Sequence, residues 1–261
     1  SFNPSYSLYS ALSARYSINL KGDVVGLSLA LSTSGINVRK GLLDIPTEAG
    51  YRAFDVFYYL LASISTPAER EFLNLKDASS YSLLSKSGTY TPPAYLPAAD
   101  DAAAAEDFRA ALKSIGIKGA AQRGLLSTLA GLLKLGNATG FLVDQEDLEE
   151  ACDEVGGLLG LDPEVLLHSC STDDREVLIS GIYEALVDWV IEKANEAISS
   201  ELQAILDNDP STSGGSGPGG QWTDDDTVSI TVVDIPRPAL GKAVAVRNVF
   251  DDNAGINAEM K

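Results

Sequence analysis

The sequence predicts an α+β fold that is mostly helical, with a small sheet packed by helices. Three observations carry this. Val25, Leu27, Leu29 and Leu31 alternate with Gly26, Ser28, Ala30 and Ser32, the period of a half-buried strand. From Arg52 the period lengthens, and Phe54, Phe57, Tyr58, Leu61 and Ile64 fall on one helical face. Near the other end, Thr227 to Ile235 carries Val228, Ile230, Val232 and Val233 and reads as a strand buried on both faces.

The elements follow in order. Tyr16 to Leu20 supplies a hairpin partner for the first strand through Lys21-Gly22-Asp23. Tyr90 to Pro97 includes Pro92, Pro93 and Pro97 and reads as loop. A helix begins near Asp101, buries Phe108, Leu112 and Ile115, and stops at Gly116. The next buries Leu125, Leu126, Leu129, Leu132 and Leu133 and closes at Gly136-Asn137. Leu148, Ala151, Cys152, Val155, Leu158 and Leu159 form another apolar stripe, and Asp162-Pro163-Glu164 opens a short helix. The longest helix is predicted from Asp173, with Glu176 completing a capping-box-like pair, to Leu206. Its inward face is Leu178, Ile182, Leu186, Trp189 and Val190, read as core. Pro210 to Gly220 is a Gly/Ser/Pro stretch, giving a flexible surface linker over residues 210–221. Residues 1–261 read as a single domain.

Composition narrows the function classes. The chain has 261 residues, 45% of them hydrophobic, with a mean hydropathy of +0.03, which suits one soluble domain with a substantial core. No apolar run approaches the ~18 residues that span a bilayer. The start at Ser1, without a basic or apolar leader, reads as that of an excised fragment. Cys152 and Cys170 read as free buried thiols of a reducing compartment. His168 is the only histidine, so no zinc cluster can form around it, and no metal or other cofactor is expected. Asp224-Asp225-Asp226 reads as a solvated acidic loop. The net charge of −18 repels nucleic-acid phosphates and anionic lipid headgroups, which argues against nucleic acid and against direct membrane contact.

Local motifs add a resemblance. Tyr51-Arg52-Ala53-Phe54-Asp55-Val56-Phe57-Tyr58-Tyr59-Leu60-Leu61-Ala62 resembles the "E-R-N-Y-H-I-F-Y-Q-L-L-A" helix of myosin motor heads. Asn74-Leu75-Lys76-Asp77 and Tyr81-Ser82-Leu83-Leu84 follow at the family's spacing. Phe108-x-x-Ala111-Leu112-x-x-Ile115-Gly116, Leu132-Leu133-Lys134-Leu135-Gly136-Asn137 and Tyr183-x-x-Leu186-x-x-Trp189-Val190-x-x-x-x-Asn195 continue the series in family order. The stretch Ser85-Lys86-Ser87-Gly88-Thr89-Tyr90-Thr91-Pro92-Pro93-Ala94, with Pro97 and Asp100-Asp101, is similar to a subgroup of these heads. That subgroup is the myosin-motor-like domain of fungal chitin synthases, and the short kind lacking ATP-binding motifs, called class VI or VII, fits best. The fold this implies is a degenerate, P-loop-NTPase-derived head corresponding to the upper part of a myosin motor.

The resemblance breaks where the family binds phosphate. A P-loop needs G-x-x-x-x-G-K-[S/T], whose amides wrap the phosphates while the Lys reaches them. Gly241-Lys242 is followed by Ala243, and Pro236 stands where the first Gly belongs. The family's second phosphate loop, "N-N-x-S-S-R-F-G", maps onto Ser10 to Ser17, keeping Ser13 and Arg15 but placing Ser10 and Ala11 at the Asn positions. The third, "D-I-x-G-F-E", maps onto Asp234 to Ala239. There Arg237 replaces the phosphate-contacting Gly, and Ala239 replaces the Glu that would pair with Arg15. Pro236 and Pro238 also remove backbone donors from that loop. Ser13, Arg15, Asp234, Arg237 and Ala239 are therefore the degenerate nucleotide-loop positions, and no catalytic residue is assigned.

Three readings stay open. The first is a non-catalytic interaction or targeting domain on the cytoplasmic side of a plasma-membrane or secretory-vesicle chitin synthase. It would bind protein partners or the parent's own catalytic region. The second is an unrelated helical binding module. The third is a working nucleotidase whose P-loop precedes Ser1. The acidity also argues against actin, an acidic filament that basic patches would have to steer.

Overall fold

The computed structural model describes residues 11–32, 49–50, 54–92, 100–137, 144–170, 175–208, 215–217 and 222–233. Strands β1 (Ala11–Asn19) and β2 (Val24–Ser32) form an antiparallel hairpin. Gly22 takes φ 96°, and the buried Asn19 closes the turn by accepting from the amides of Lys21 and Asp23, each at 2.9 Å. The third strand, β3 (Thr227–Val233), pairs antiparallel with the other side of β1, so the order is β2-β1-β3.

Register assigns the two faces. Tyr16 lies between Leu27 and Ile230, and Ala14 between Leu29 and Val232, so these apolar side chains share one face. Ser13, Arg15 and Ser17 share the other with Ser28, Ser229 and Thr231.

Two sequence expectations are corrected here. β1 is longer than Tyr16–Leu20 and includes most of the stretch matched to a phosphate loop, because its own alternation continues back to Leu12. β3 is an edge strand and not a buried one: Val228, Ile230 and Val232 are 60%, 51% and 56% exposed. Thr227, Ser229 and Thr231 alternate with them, so one face carries hydroxyls and the pattern has period two. Ile235 lies outside the described residues.

The helical body begins at α1 (Asp55–Tyr59), entered through Phe54 at φ 61°, and continues as a π-helical turn over Leu60–Ile64. The wider turn rotates the stripe, so Leu60 is fully buried while Leu61 is only partly so. Two carbonyls of this turn find side-chain donors, Ser65 Oγ on Leu60 at 2.8 Å and the Arg70 guanidinium on Leu61. Helix α2 (Pro67–Phe72) escaped the sequence reading, although Thr66-Pro67-Ala68-Glu69 spells a capping box with proline at the start. Thr66 and Glu69 make the reciprocal bonds at 2.6 and 3.3 Å. A short α3 (Ser82–Ser85) follows.

Helix α4 (Asp101–Ser114) is capped by Asp100, which accepts from the Ala102 amide at 2.9 Å, and ends before Gly116 at φ 83°. Helix α5 (Ala120–Asn137) is the centre of the core, with every residue from 129 to 136 buried. Against it pack α6 (Gln145–Leu159) and the long α8 (Arg175–Asn208), while α7 (Pro163–Cys170) packs on α6. Asp173 of the predicted Asp173–Glu176 cap lies outside the described residues, and the helix is described from Arg175. Leu178, Ile182, Leu186, Trp189 and Val190 do face the core, but each is only partly buried, and on α8 the enclosed residues are Ile179 and Ser180. Among the described residues, no helix is long and apolar enough to cross a membrane.

Candidate functional site

Arg15 reaches across the polar face of the sheet. Its Nε and Nη2 donate to Ser229 Oγ at 3.2 and 3.0 Å, and Nη2 lies 3.8 Å from Asp224 Oδ1. Both partners of that ion pair are more than half exposed, so it contributes little. Ser13 Oγ donates to the Ala30 carbonyl at 3.2 Å. Ser13 and Arg15 thus sit on one face of a strand, two residues apart, with their polar groups directed to neighbouring strands. Asp234, Arg237 and Ala239 lie outside the described residues.

Beside this face, Asp226 ties a small knot. Its Oδ2 accepts from the amide and hydroxyl of Ser216 at 2.9 and 2.7 Å, and from the amide and hydroxyl of Thr223 at 3.1 and 2.7 Å. The Ser216 hydroxyl is foremost among the donors that hold this carboxyl well below the usual carboxylate range. Of the predicted flexible linker over 210–221, only residues 215–217 are among those described. The Asp224–Asp226 run is a 3₁₀ turn with Asp224 and Asp225 exposed, as a solvated acidic segment should be, while Asp226 reaches Ser216. The signal was present in Thr223-x-x-Asp226, a capping-box spacing. Among the described residues, no group of three or more His, Cys, Asp or Glu could hold a metal.

The segments that carried the myosin resemblance meet in the core and bind one another. The nearly buried Lys134 Nζ donates to the Asn74 carbonyl at 3.1 Å and to Glu154 Oε1 at 2.8 Å, which also accepts from Asn74 Nδ2 at 3.1 Å. The Lys76 amide donates to the Tyr81 hydroxyl at 2.9 Å. Asn137 accepts from the Ser82 amide at 2.7 Å and donates to the Ser80 carbonyl at 2.8 Å, while Ser82 Oγ donates to the Gly136 carbonyl at 2.6 Å. Asn195, the last residue of the matched α8 segment, bonds the backbone of Leu29 in β2. These contacts are scaffold: every polar group named is spent on another part of the fold.

The thiols are equally occupied. Cys152 and Cys170 are buried and form no disulfide, and burial, aided by the neighbouring Cys170, pushes the Cys152 thiol up to about 12. A thiol so placed stays protonated and is a poor nucleophile at neutral pH. His168 is exposed on α7.

A myosin head (motor domain) family profile matches residues 34–172. Chitin synthase A of Aspergillus oryzae is 83% identical over 260 residues, which is 100% of this chain and 15% of that protein. Chitin synthase 5 of Pyricularia oryzae is 59% identical over 263 residues, again 100% of this chain and 15% of that protein. Myosin-1 of Arabidopsis thaliana is 28% identical over 195 residues, covering 64% of this chain and 16% of that protein. The chain therefore spans about 15% of the length of the chitin synthases it matches.

Proposed function

The chain belongs to the myosin head (motor domain) family, and we propose that it is a non-catalytic interaction or targeting domain of a fungal chitin synthase. The observation that carries the reading is the fate of Arg15. The resemblance assigns it a Glu partner at position 239, where Ala239 stands. Arg15 instead donates to Ser229 from the middle of a strand. A loop that opens and closes on a nucleotide requires that arginine to be exchanged between partners, and here it is part of the sheet's own bonding. The absence of a G-x-x-x-x-G-K-[S/T] motif from the 261 residues supports the same reading.

Under this reading, what the family uses to build a rigid head is retained and what it uses to grip phosphate is lost. The domain faces the cytoplasm, and the sugar-polymerising part of the parent lies outside this chain. Its partners are proteins or the parent's own catalytic region, not nucleic acid, bilayer or actin, all of which its charge of −18 disfavours.

Calorimetric titration of the chain with Mg-ATP tests the loss of nucleotide chemistry. No heat of binding is expected, and a micromolar Kd would overturn it. The targeting role is tested in a full-length parent lacking this domain. Chitin synthase activity in isolated membranes should persist while cell-surface localisation is lost. Lost activity with unchanged localisation would make the domain a part of catalysis.

A further inference from the structure

Between β2 and α8 runs a groove of about 630 Å³. Its floor is apolar, from Leu29, Leu31 and Ile191. Its rim is acidic: Asp188, Glu192 and Glu196 recur every fourth residue of α8. Lys193 Nζ takes Glu196 Oε2 at 2.6 Å, and Asp188 and Glu192 have no ion-pair partner among the described residues. Three carboxylates against one ammonium leave the rim negative.

The middle of the β2 edge cannot accept another strand, because Asn195 already bonds both backbone groups of Leu29 at 2.7 and 2.8 Å. Whatever occupies the groove is held by its side chains. An aliphatic stem with a cationic head fits an apolar floor beneath a carboxylate rim. Four residues of helix advance ~6 Å, and two residues of extended chain advance ~6.6 Å, so alternate side chains of an extended segment match the carboxylate spacing.

We infer that this groove docks an extended protein segment bearing Arg or Lys at alternate positions. The inference rests on the interaction-domain reading and names the chemistry of the partner.

The test uses the 261-residue chain and fluorescein-labelled Arg-Val-Arg-Val-Arg-Val-Arg, followed by fluorescence anisotropy at two salt concentrations. Saturable binding is expected. The peptide Arg-Arg-Arg-Arg-Val-Val-Val, of equal charge, should bind at least about fivefold more weakly, since only part of it can meet the rim in register. The double variant Asp188→Asn, Glu192→Gln should weaken the first peptide by about fivefold or more. Removing two charges on exposed α6 positions, Glu150→Gln with Asp153→Asn, should leave binding unchanged. Equal binding of the two peptides, or equal loss in both double variants, would show general attraction to an acidic protein and overturn the proposal. So would no binding at all. None of these results alters the Mg-ATP titration or the localisation test, so failure of the groove and failure of the broader reading are separable.

Discussion

The side-chain amide of Asn195 bonds both backbone groups of Leu29: Oδ1 accepts from the amide at 2.7 Å, and Nδ2 donates to the carbonyl at 2.8 Å. One residue thereby fixes the long helix to the sheet and satisfies part of a strand edge that would otherwise be open. Asn195→Ala should cost about 1–3 kcal/mol, because two backbone groups lose their partner in a part-buried site. Asn195→Asp should cost at least as much, since a carboxylate oxygen would then face the Leu29 carbonyl. Urea unfolding measures both, and a midpoint unchanged by Asn195→Ala would show that the bond does not couple sheet to helix.

Gly136 and Gly157 are helical glycines with opposite expectations. A Cβ on Gly136 would meet Leu83 Cγ at 2.6 Å, while one on Gly157 would meet nothing within 4 Å. Gly136→Ala should therefore destabilise by about 1–3 kcal/mol through overpacking. Gly157→Ala should stabilise by about 0.5–1 kcal/mol by restricting the unfolded chain and improving helix propensity. Thermal melts of the two variants should move in opposite directions. Stabilisation by Gly136→Ala would contradict the close approach of α3 and α5, and destabilisation by Gly157→Ala would contradict the open space beside that glycine.

The Lys134–Glu154 pair should respond asymmetrically. The side chain of Lys134 is 8% exposed and that of Glu154 is 35% exposed. Removing the carboxylate with Glu154→Ala leaves the ammonium with the Asn74 carbonyl, at a cost of about 2–3 kcal/mol. That is less than a fully enclosed pair would show. Lys134→Met leaves a carboxylate that water can reach, and should cost under about 1.5 kcal/mol. Denaturant midpoints decide it, and the reverse order would mean that the lysine's charge is solvated after all.

The residues explain how much could be read in advance. Period and capping chemistry made α4, α5 and the β1–β2 hairpin legible, because those patterns depend on local sequence alone. The exposure of β3 was not, since Val228, Ile230 and Val232 would look the same on an edge or in the middle of a sheet. The π turn at Leu60–Ile64 also escaped, because an extra residue in one turn leaves composition unchanged. For the site, the proposed loss of phosphate chemistry rests on missing residue types, which the sequence displays directly. The bonds that Arg15 makes with Ser229 and Asp226 with Ser216 depend on pairing between distant positions, which no local pattern announces.

The Asp226 knot gives a pH-dependent prediction. Four donors converge on Oδ2, led by the Ser216 hydroxyl, and hold the folded-state pKa below the unfolded carboxylate value. A depressed folded pKa means that the contribution to stability is present above the unfolded pKa of ~3.9 and fades as pH falls further. The readout is local: the amides of Ser216 and Thr223 both donate to this carboxylate and should be protected from hydrogen exchange at neutral pH. Asp226→Ala should accelerate exchange at both amides by about tenfold or more while leaving the α5 amides unchanged. In the wild-type chain the same two amides should lose their relative protection once Asp226 is protonated, at a pH below that of an ordinary carboxylate. Fast exchange at Ser216 in the wild-type protein at pH 7 would show that the 210–221 linker is not anchored by Asp226.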